Sequence, residues 1–414
     1  PGLEHGPGQI GIVPEPRRRS LFLDLLQFES LALGIQVLHE LAHPGVQLVL
    51  DAHQGFEVHG PSAGKGARRG AMLQLYGIRP FPASRYPGWM AEAPSVLPDD
   101  LEPTNFGFLA GHSETALAFR RWEHPDPVGR VVIAHGYGEH GERYRHVAKW
   151  LHNRGWSVSA MDHRGFGRSG GVRGDADGIR AFVDDLVLFL RHERRHDAQR
   201  LNAPPRVLDG MPLPPLPVCP QVLLGHSFGG LVSLLALLWH ADTLDGLVLT
   251  SPALAVRPVS APLRWVQRLL LRIAPHIPLE LPNDKAQVCS DPVFVQRYWA
   301  DPLCHRRVTA SFAEALDEGR RELISLGHEL DRPILLLEAG ADTVVDPDAS
   351  ESFWAALQPG RLQRHRLEGL RHELLHDLRR NEALDLLAPW LEGLRAGWNP
   401  NAPHATMVGT KDRP

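Results

Sequence analysis

Gly225-His226-Ser227-Phe228-Gly229 sits between two apolar stretches, residues 222–224 before it and 231–239 after it. A serine between two such stretches, with glycine two places to either side, predicts a strand, a very tight turn and a helix, with the hydroxyl pushed out at the apex. The turn alone is a common accident. A serine hydroxyl is also a weak nucleophile near neutral pH. It needs a base to take its proton and a carboxylate to orient that base. In a strand-turn-helix setting the order along the chain is serine, then acid, then a late histidine. Asp342 follows an apolar stretch in Glu338-Ala339-Gly340-Ala341-Asp342, and His372 follows another in Leu370-Arg371-His372-Glu373. Asp342 is favoured over Asp346, and His372 over His376, because each stands nearer the end of its strand. A developing oxyanion needs two donors. The backbone N–H groups of Phe228 and of Tyr137, in the turn after His135-Gly136, are the candidates. His135, Glu139, His140, Asp162 and Arg164 read as residues that order the loops.

A rival chemistry is written into the same chain. His-Glu-x-x-His occurs at His39–His43, His192–His196 and His372–His376. On a helix, two histidines four apart can bind zinc, with the glutamate as base. Pro44 would end the first helix, arginines fill the second motif, and the third falls where the serine needs its base. With 23 histidines, accidental matches are expected. The reading is therefore an enzyme with no metal and no cofactor.

The elements that must position these groups alternate. Strands are predicted at 117–122 (an edge strand), 130–134, 156–161, 222–226, 244–250, 333–338 and 362–367. Helices are predicted at 142–153, 182–196, 231–239 and 382–394. A Pro-rich link spans 204–220. This alternation predicts an α/β class: a mostly parallel central sheet with helices on both faces and ligands at the carboxyl ends of the strands. Residues 255–326 break the pattern as a Pro-rich helical insertion. Within it Arg264, Arg268 and Arg272 recur every fourth residue, so residues 264–273 form a basic amphipathic helix. It reads either as a cap with its charges in water or as a helix that touches a membrane surface.

Composition narrows the class. A formal charge of -4 argues against nucleic acid, and 43% hydrophobic content is that of a globular protein. Three separated cysteines without a CxxC pair point to a reducing, cytoplasmic setting. The three arginines at 17–19 precede an apolar stretch that Asp24 and Glu29 interrupt, so it does not read as a secretion signal.

Taken together, His135-Gly136-Tyr137-Gly138-Glu139-His140, Asp162-His163-Arg164-Gly165-Phe166-Gly167, Gly225-His226-Ser227-Phe228-Gly229-Gly230, Ser251-Pro252, Asp301-Pro302-Leu303 and His372-Glu373-Leu374-Leu375 resemble the monoacylglycerol lipase and lysophospholipase branch of the α/β-hydrolases. The resemblance runs from about residue 115 to 394. It implies a serine esterase of single-chain acyl lipids with a triad of Ser227, Asp342 and His372, oxyanion donors at Tyr137 and Phe228, and a mobile cap at 255–326. Lysophospholipids, simple carboxylic esters and small peptides are the alternative substrates. Phe228 stands where methionine is more usual, and Tyr137 where a small residue is, which would narrow the pocket mouth. The expected organisation is an extension at 1–100, disordered or outside the natural protein with Met90 a candidate start. The core follows at 101–254 and 327–396, the cap at 255–326 and a disordered tail at 397–414.

Overall fold

The computed structural model describes residues 100–201, 206–208, 211–213, 219–256, 261–280, 285–357 and 360–399. The expected extension and the start at Met90 lie outside them, as does the tail beyond residue 399.

In chain order the elements are β1 Asn105–Ala110, β2 Ala116–Trp122, β3 Gly129–Ala134, α1 Arg145–His152, β4 Trp156–Met161, α2 Ile179–Arg200, β5 Arg206–Leu208, β6 Met211–Leu213, β7 Gln221–His226, α3 Ser227–Trp239 and β8 Gly246–Thr250. Then come α4 Ala261–Ile273, β9 Leu279–Glu280, α5 Lys285–Val288, α6 Pro292–Ala300, β10 Arg307–Val308, α7 Ala310–Leu326, β11 Ile334–Ala339, α8 Glu351–Ala355, β12 Leu362–Leu367 and α9 Arg380–Gly397. By internal contacts, residues 261–269 of α4 fall in a separate unit, and the sheet and the candidate active site described below lie in the larger one.

The main sheet has eight strands in the order β1-β2-β4-β3-β7-β8-β11-β12. From β4 to β12 all neighbours are parallel, while β2 runs antiparallel to both β1 and β4. The central strands are buried from end to end because helices cover both faces. Alternate residues of β7 show this. Leu223 joins the core under α2, α3 and α7, whereas Val222 and Leu224 join the core under α1 and α9.

Two expectations need correction. The strand at 117–122 is not an edge. β1, which the sequence did not suggest, pairs along its whole length and takes the edge instead. Its Asn-Phe-Gly-Phe-Leu-Ala lacks clean alternation, and only Leu109 is fully buried. The Pro-rich link also carries a small hairpin, β5 with β6. Among the described residues no helix is long and apolar enough to cross a membrane.

Candidate active site

The turn between β7 and α3 puts Ser227 at φ 50°, a left-handed conformation that non-glycine residues adopt only under constraint. The constraint comes from its neighbours. A Cβ on Gly225 would lie 2.5 Å from Ser233 Oγ, and one on Gly229 would lie 2.2 Å from the Ala134 carbonyl oxygen. Only glycine lets α3 sit this close to the end of β3. The same closeness sets the loop after β3, with Tyr137 in it, against the first turn of α3, where Phe228 N–H has no intrahelical acceptor.

Around Ser227 the predicted residues meet. Ser227 Oγ is 2.8 Å from His372 Nε2, and His372 Nδ1 is 2.7 Å from Asp342 Oδ2. All three side chains are buried. Asp342 Oδ1 accepts from the N–H groups of Val344 and Val345 at 2.8 and 2.9 Å, so the carboxylate cannot turn away. Burial pushes the Asp342 carboxyl up, but His372 and the two N–H donors outweigh it and hold it below its ordinary value. Such a chain can pull a proton from the serine hydroxyl and store the resulting positive charge beside a fixed carboxylate. The rival Asp346 instead accepts from the N–H groups of Asp348 and Ala349 at the next turn.

The Tyr137 loop is held from several sides. Glu139 accepts from Gly136 N–H at 2.6 Å and from the Tyr144 hydroxyl at 2.8 Å. His135 Nε2 accepts from His163 N–H at 2.9 Å, joining the loops after β3 and β4. Asp162 accepts from Arg120, Gly141 N–H and Arg168 N–H. His140 bonds Asp301 at 2.8 Å and, despite burial, is raised to about 10 by Asp301 and Cys304. Arg164 reaches Asp185. The Tyr137 hydroxyl donates to the Arg307 carbonyl of β10, so its ring ties this loop to the insertion. Phe228 packs among His163, Phe166, Phe182 and Phe312.

The His-Glu-x-x-His motifs separate into different environments. Residues 371–379 form turns, not a helix, so His372 and His376 do not share a helical face. His376 stacks on Phe294 at 4.2 Å and bonds Glu373. On α2, Glu193 is clamped by Arg121 at 2.7 Å and Arg130 at 3.0 Å, and His196 bonds Glu123. The motif at 39–43 lies outside the described residues. Glu139, Glu373 and His376 do bring ligand atoms within 4.8 Å of one another. Arg143, bonded to Glu139 at 3.2 Å, already supplies a cation there.

Sequence reasoning gave no role to three nearby groups. Ser251, at φ 43°, donates from Oγ to the His372 carbonyl at 3.0 Å and steadies that loop from the end of β8. His226, next to the serine, packs 5.0 Å from the His372 ring and lies 3.4 Å from Glu373. Burial alone would lower the His226 imidazole, yet Glu373 and Glu139 raise it. The Ser251-Pro252 pair at a strand end and the carboxylate directly after His372 were the available signals.

A family model described as serine aminopeptidase, S33 matches residues 125–379. A monoacylglycerol lipase of Mycolicibacterium smegmatis is 32% identical over 295 residues, covering 68% of this chain and 95% of that protein. The structure of a Paleococcus ferrophilus monoacylglycerol lipase aligns at TM-score 0.56 and 25% identity, over 68% of this chain and 98% of that one. A soluble variant of the Saccharomyces cerevisiae monoglyceride lipase, in complex with a substrate analog, shares the fold at TM-score 0.62 and 18% identity, over 73% of this chain and 99% of that one.

Proposed function

The chain belongs to the serine aminopeptidase S33 family of α/β-hydrolases, and from that premise we propose that it cleaves carboxylic esters of monoacylglycerol type through an acyl-enzyme on Ser227. The observation that carries the reading is the unbroken hydrogen-bonded chain from Ser227 through His372 to Asp342.

Ser227 Oγ attacks the ester carbonyl carbon while His372 Nε2 takes its proton. Asp342 holds the imidazolium that forms. The carbonyl oxygen gathers negative charge and is met by the N–H groups of Phe228 and Tyr137. One such donor is worth ~10²–10³ in rate. The tetrahedral species collapses as the carbon–oxygen bond to glycerol breaks and the imidazolium protonates the departing alkoxide. Water then attacks the acyl-enzyme with His372 again as base. Fatty acid leaves and the serine hydroxyl is restored.

Residues 255–326 are the cap in this reading. α4 presents Arg264, Arg268 and Arg272 with Trp265 (65% exposed) and Ile273 (60% exposed), a composition suited to an anionic membrane surface. Cosedimentation with anionic but not neutral vesicles, lost on R264Q/R268Q/R272Q, tests that contact.

The reading of the reaction is tested by turnover of a panel of monoacylglycerols, lysophospholipids, p-nitrophenyl esters and small peptide amides by wild type and S227A. Highest kcat/KM on monoacylglycerols, with loss of every activity in S227A, supports it. Preference for lysophospholipids or peptides moves the substrate but keeps the chemistry. An S227A protein that matched wild type throughout would overturn the assignment.

A further inference from the structure

His226 directly precedes the nucleophile, and the ester chemistry above gives it no task. It is the last residue of β7 and stands opposite Thr250, the last of β8, in their parallel register. That register buries its ring where three segments meet. Nδ1 lies 3.1 Å from the Thr250 carbonyl oxygen and 3.0 Å from Thr250 Oγ1. Nε2 lies 3.4 Å from Glu373 Oε2. The turn that leads to Tyr137 runs against the ring, since a Cβ on Gly136 would lie 2.9 Å from His226 Cδ2. The His372 ring is 5.0 Å away, centroid to centroid.

Those partners fix the protonation. A carbonyl oxygen and a carboxylate both accept, so both ring nitrogens donate, and an imidazole with two N–H groups is a cation. Burial opposes the charge, but Glu373 and Glu139 carry His226 above its ordinary value. The other groups packed here complete the balance. Glu373 also bonds His376 Nδ1 at 3.1 Å, and burial keeps His376 below its ordinary value in spite of that bond. Glu139 is held down to about 2, against burial and the charge of Glu373, by His376, Arg143 and His226 together. Two carboxylates, Glu373 and Glu139, thus answer two cations, Arg143 and His226. His372 has its own counter-charge, Asp342, at 2.7 Å. Two imidazolium rings 5.0 Å apart repel, so a fixed cation at His226 disfavours a second proton next door.

We propose that His226 is a positioning residue for the triad: fixed as a cation between Thr250 and Glu373, it keeps the neighbouring His372 ring neutral and ready to take the serine proton. This rests on the reading of Ser227, Asp342 and His372 as the triad. His226 acts through His372. Its charge sets how acid the medium can become before the base is lost, while Asp342 stabilises the proton once Ser227 has delivered it.

The test is the pH profile of kcat/KM on a neutral p-nitrophenyl ester, whose acid limb reports the essential base of the free enzyme. H226Q keeps a donor towards Glu373 but loses the charge, which leaves Glu373 and Glu139 to favour a proton on His372. Its limb moves to higher pH by about one unit, between the values that a unit charge about 5 Å away gives in water and in a protein interior. E373Q removes an anion instead, so its limb moves down or, where His226 gives up its proton in response, stays in place. A purely structural role lowers the plateau and leaves the limb of H226Q where it was. Melting curves check the folding of each variant, and H226N, which keeps a donor towards Thr250, replaces H226Q if that variant does not fold. A limb in H226Q or H226N that coincides with wild type, or an upward move in E373Q, overturns the proposal. Fluorophosphonate labelling of wild type at Ser227 keeps this apart from the reading beneath it. Without labelling the triad falls and this role with it, whereas labelling with an unmoved limb removes only the role of His226.

Discussion

Asp342→Asn separates geometry from electrostatics at the centre of the site. The side chain keeps its shape, and its carbonyl oxygen can still accept from Val344 and Val345 at the 2.8 and 2.9 Å now seen. The amide NH₂ then occupies the Oδ2 position, 2.7 Å from His372 Nδ1. Because an amide donates there, Nδ1 must accept, and the imidazole proton moves to Nε2. That nitrogen, 2.8 Å from Ser227 Oγ, now donates to the hydroxyl instead of taking its proton. The imidazolium also loses its counter-charge. In serine triads this change removes about 10⁴ in kcat. At about 1.4 kcal/mol per decade that is roughly 5 kcal/mol of transition-state stabilisation. KM should change little, since nothing that touches the acyl chain moves. The assay is steady-state turnover of a p-nitrophenyl ester together with the rate of Ser227 labelling by a fluorophosphonate, with D346N as comparison. Activity within tenfold of wild type in D342N, or a larger loss in D346N, would falsify the assignment of the acid.

Glu193→Gln leaves Arg121 and Arg130 facing a neutral amide in the core and should cost about 3 kcal/mol. The Glu193 carboxyl is lowered by Arg130 and Arg121 in spite of burial. Its contribution is therefore present above the ordinary glutamate value and is lost as pH falls through the lowered one. Urea melts at neutral and acid pH should show the smaller acid dependence in the variant. Gly229→Ala drives a Cβ to 2.2 Å from the Ala134 carbonyl, so the elbow must open. Destabilisation of at least about 1–3 kcal/mol with loss of fluorophosphonate labelling is expected, and a variant with wild-type melting and labelling would refute the close-approach argument. Tyr137→Phe removes the hydroxyl bond to Arg307 but keeps the N–H. Stability should fall by about 1 kcal/mol while kcat stays within a few-fold, and a hundredfold loss of kcat would show that the hydroxyl does more than tie the loop.

Much of this was legible in the chain itself. Parallel strands buried on both faces are apolar through most of their length, so 130–134, 222–226 and 333–338 announced themselves. The glycines around Ser227 were legible because a close approach of two backbones leaves no other choice of residue. β1 was not legible. It is an edge strand with mixed burial, held by pairing with β2, and pairing between strands leaves no periodic trace in one of them. The hairpin at 206–213 was hidden in the same way, within a Pro-rich link that puts Pro212 in its second strand.

The order of residues along the chain pointed to Ser227, Asp342 and His372, because each follows a strand of a parallel sheet and the ends of such strands converge; the structure brings the three within hydrogen-bond reach. Tertiary structure alone decided which neighbours hold them. Ser251 behind His372 and Glu373 between His226 and His376 are contacts set by residues up to 147 positions apart (226 to 373) or by the turns at 371–379. A covalent chain records which residues are present. Only packing in a low-dielectric interior decides which charges meet.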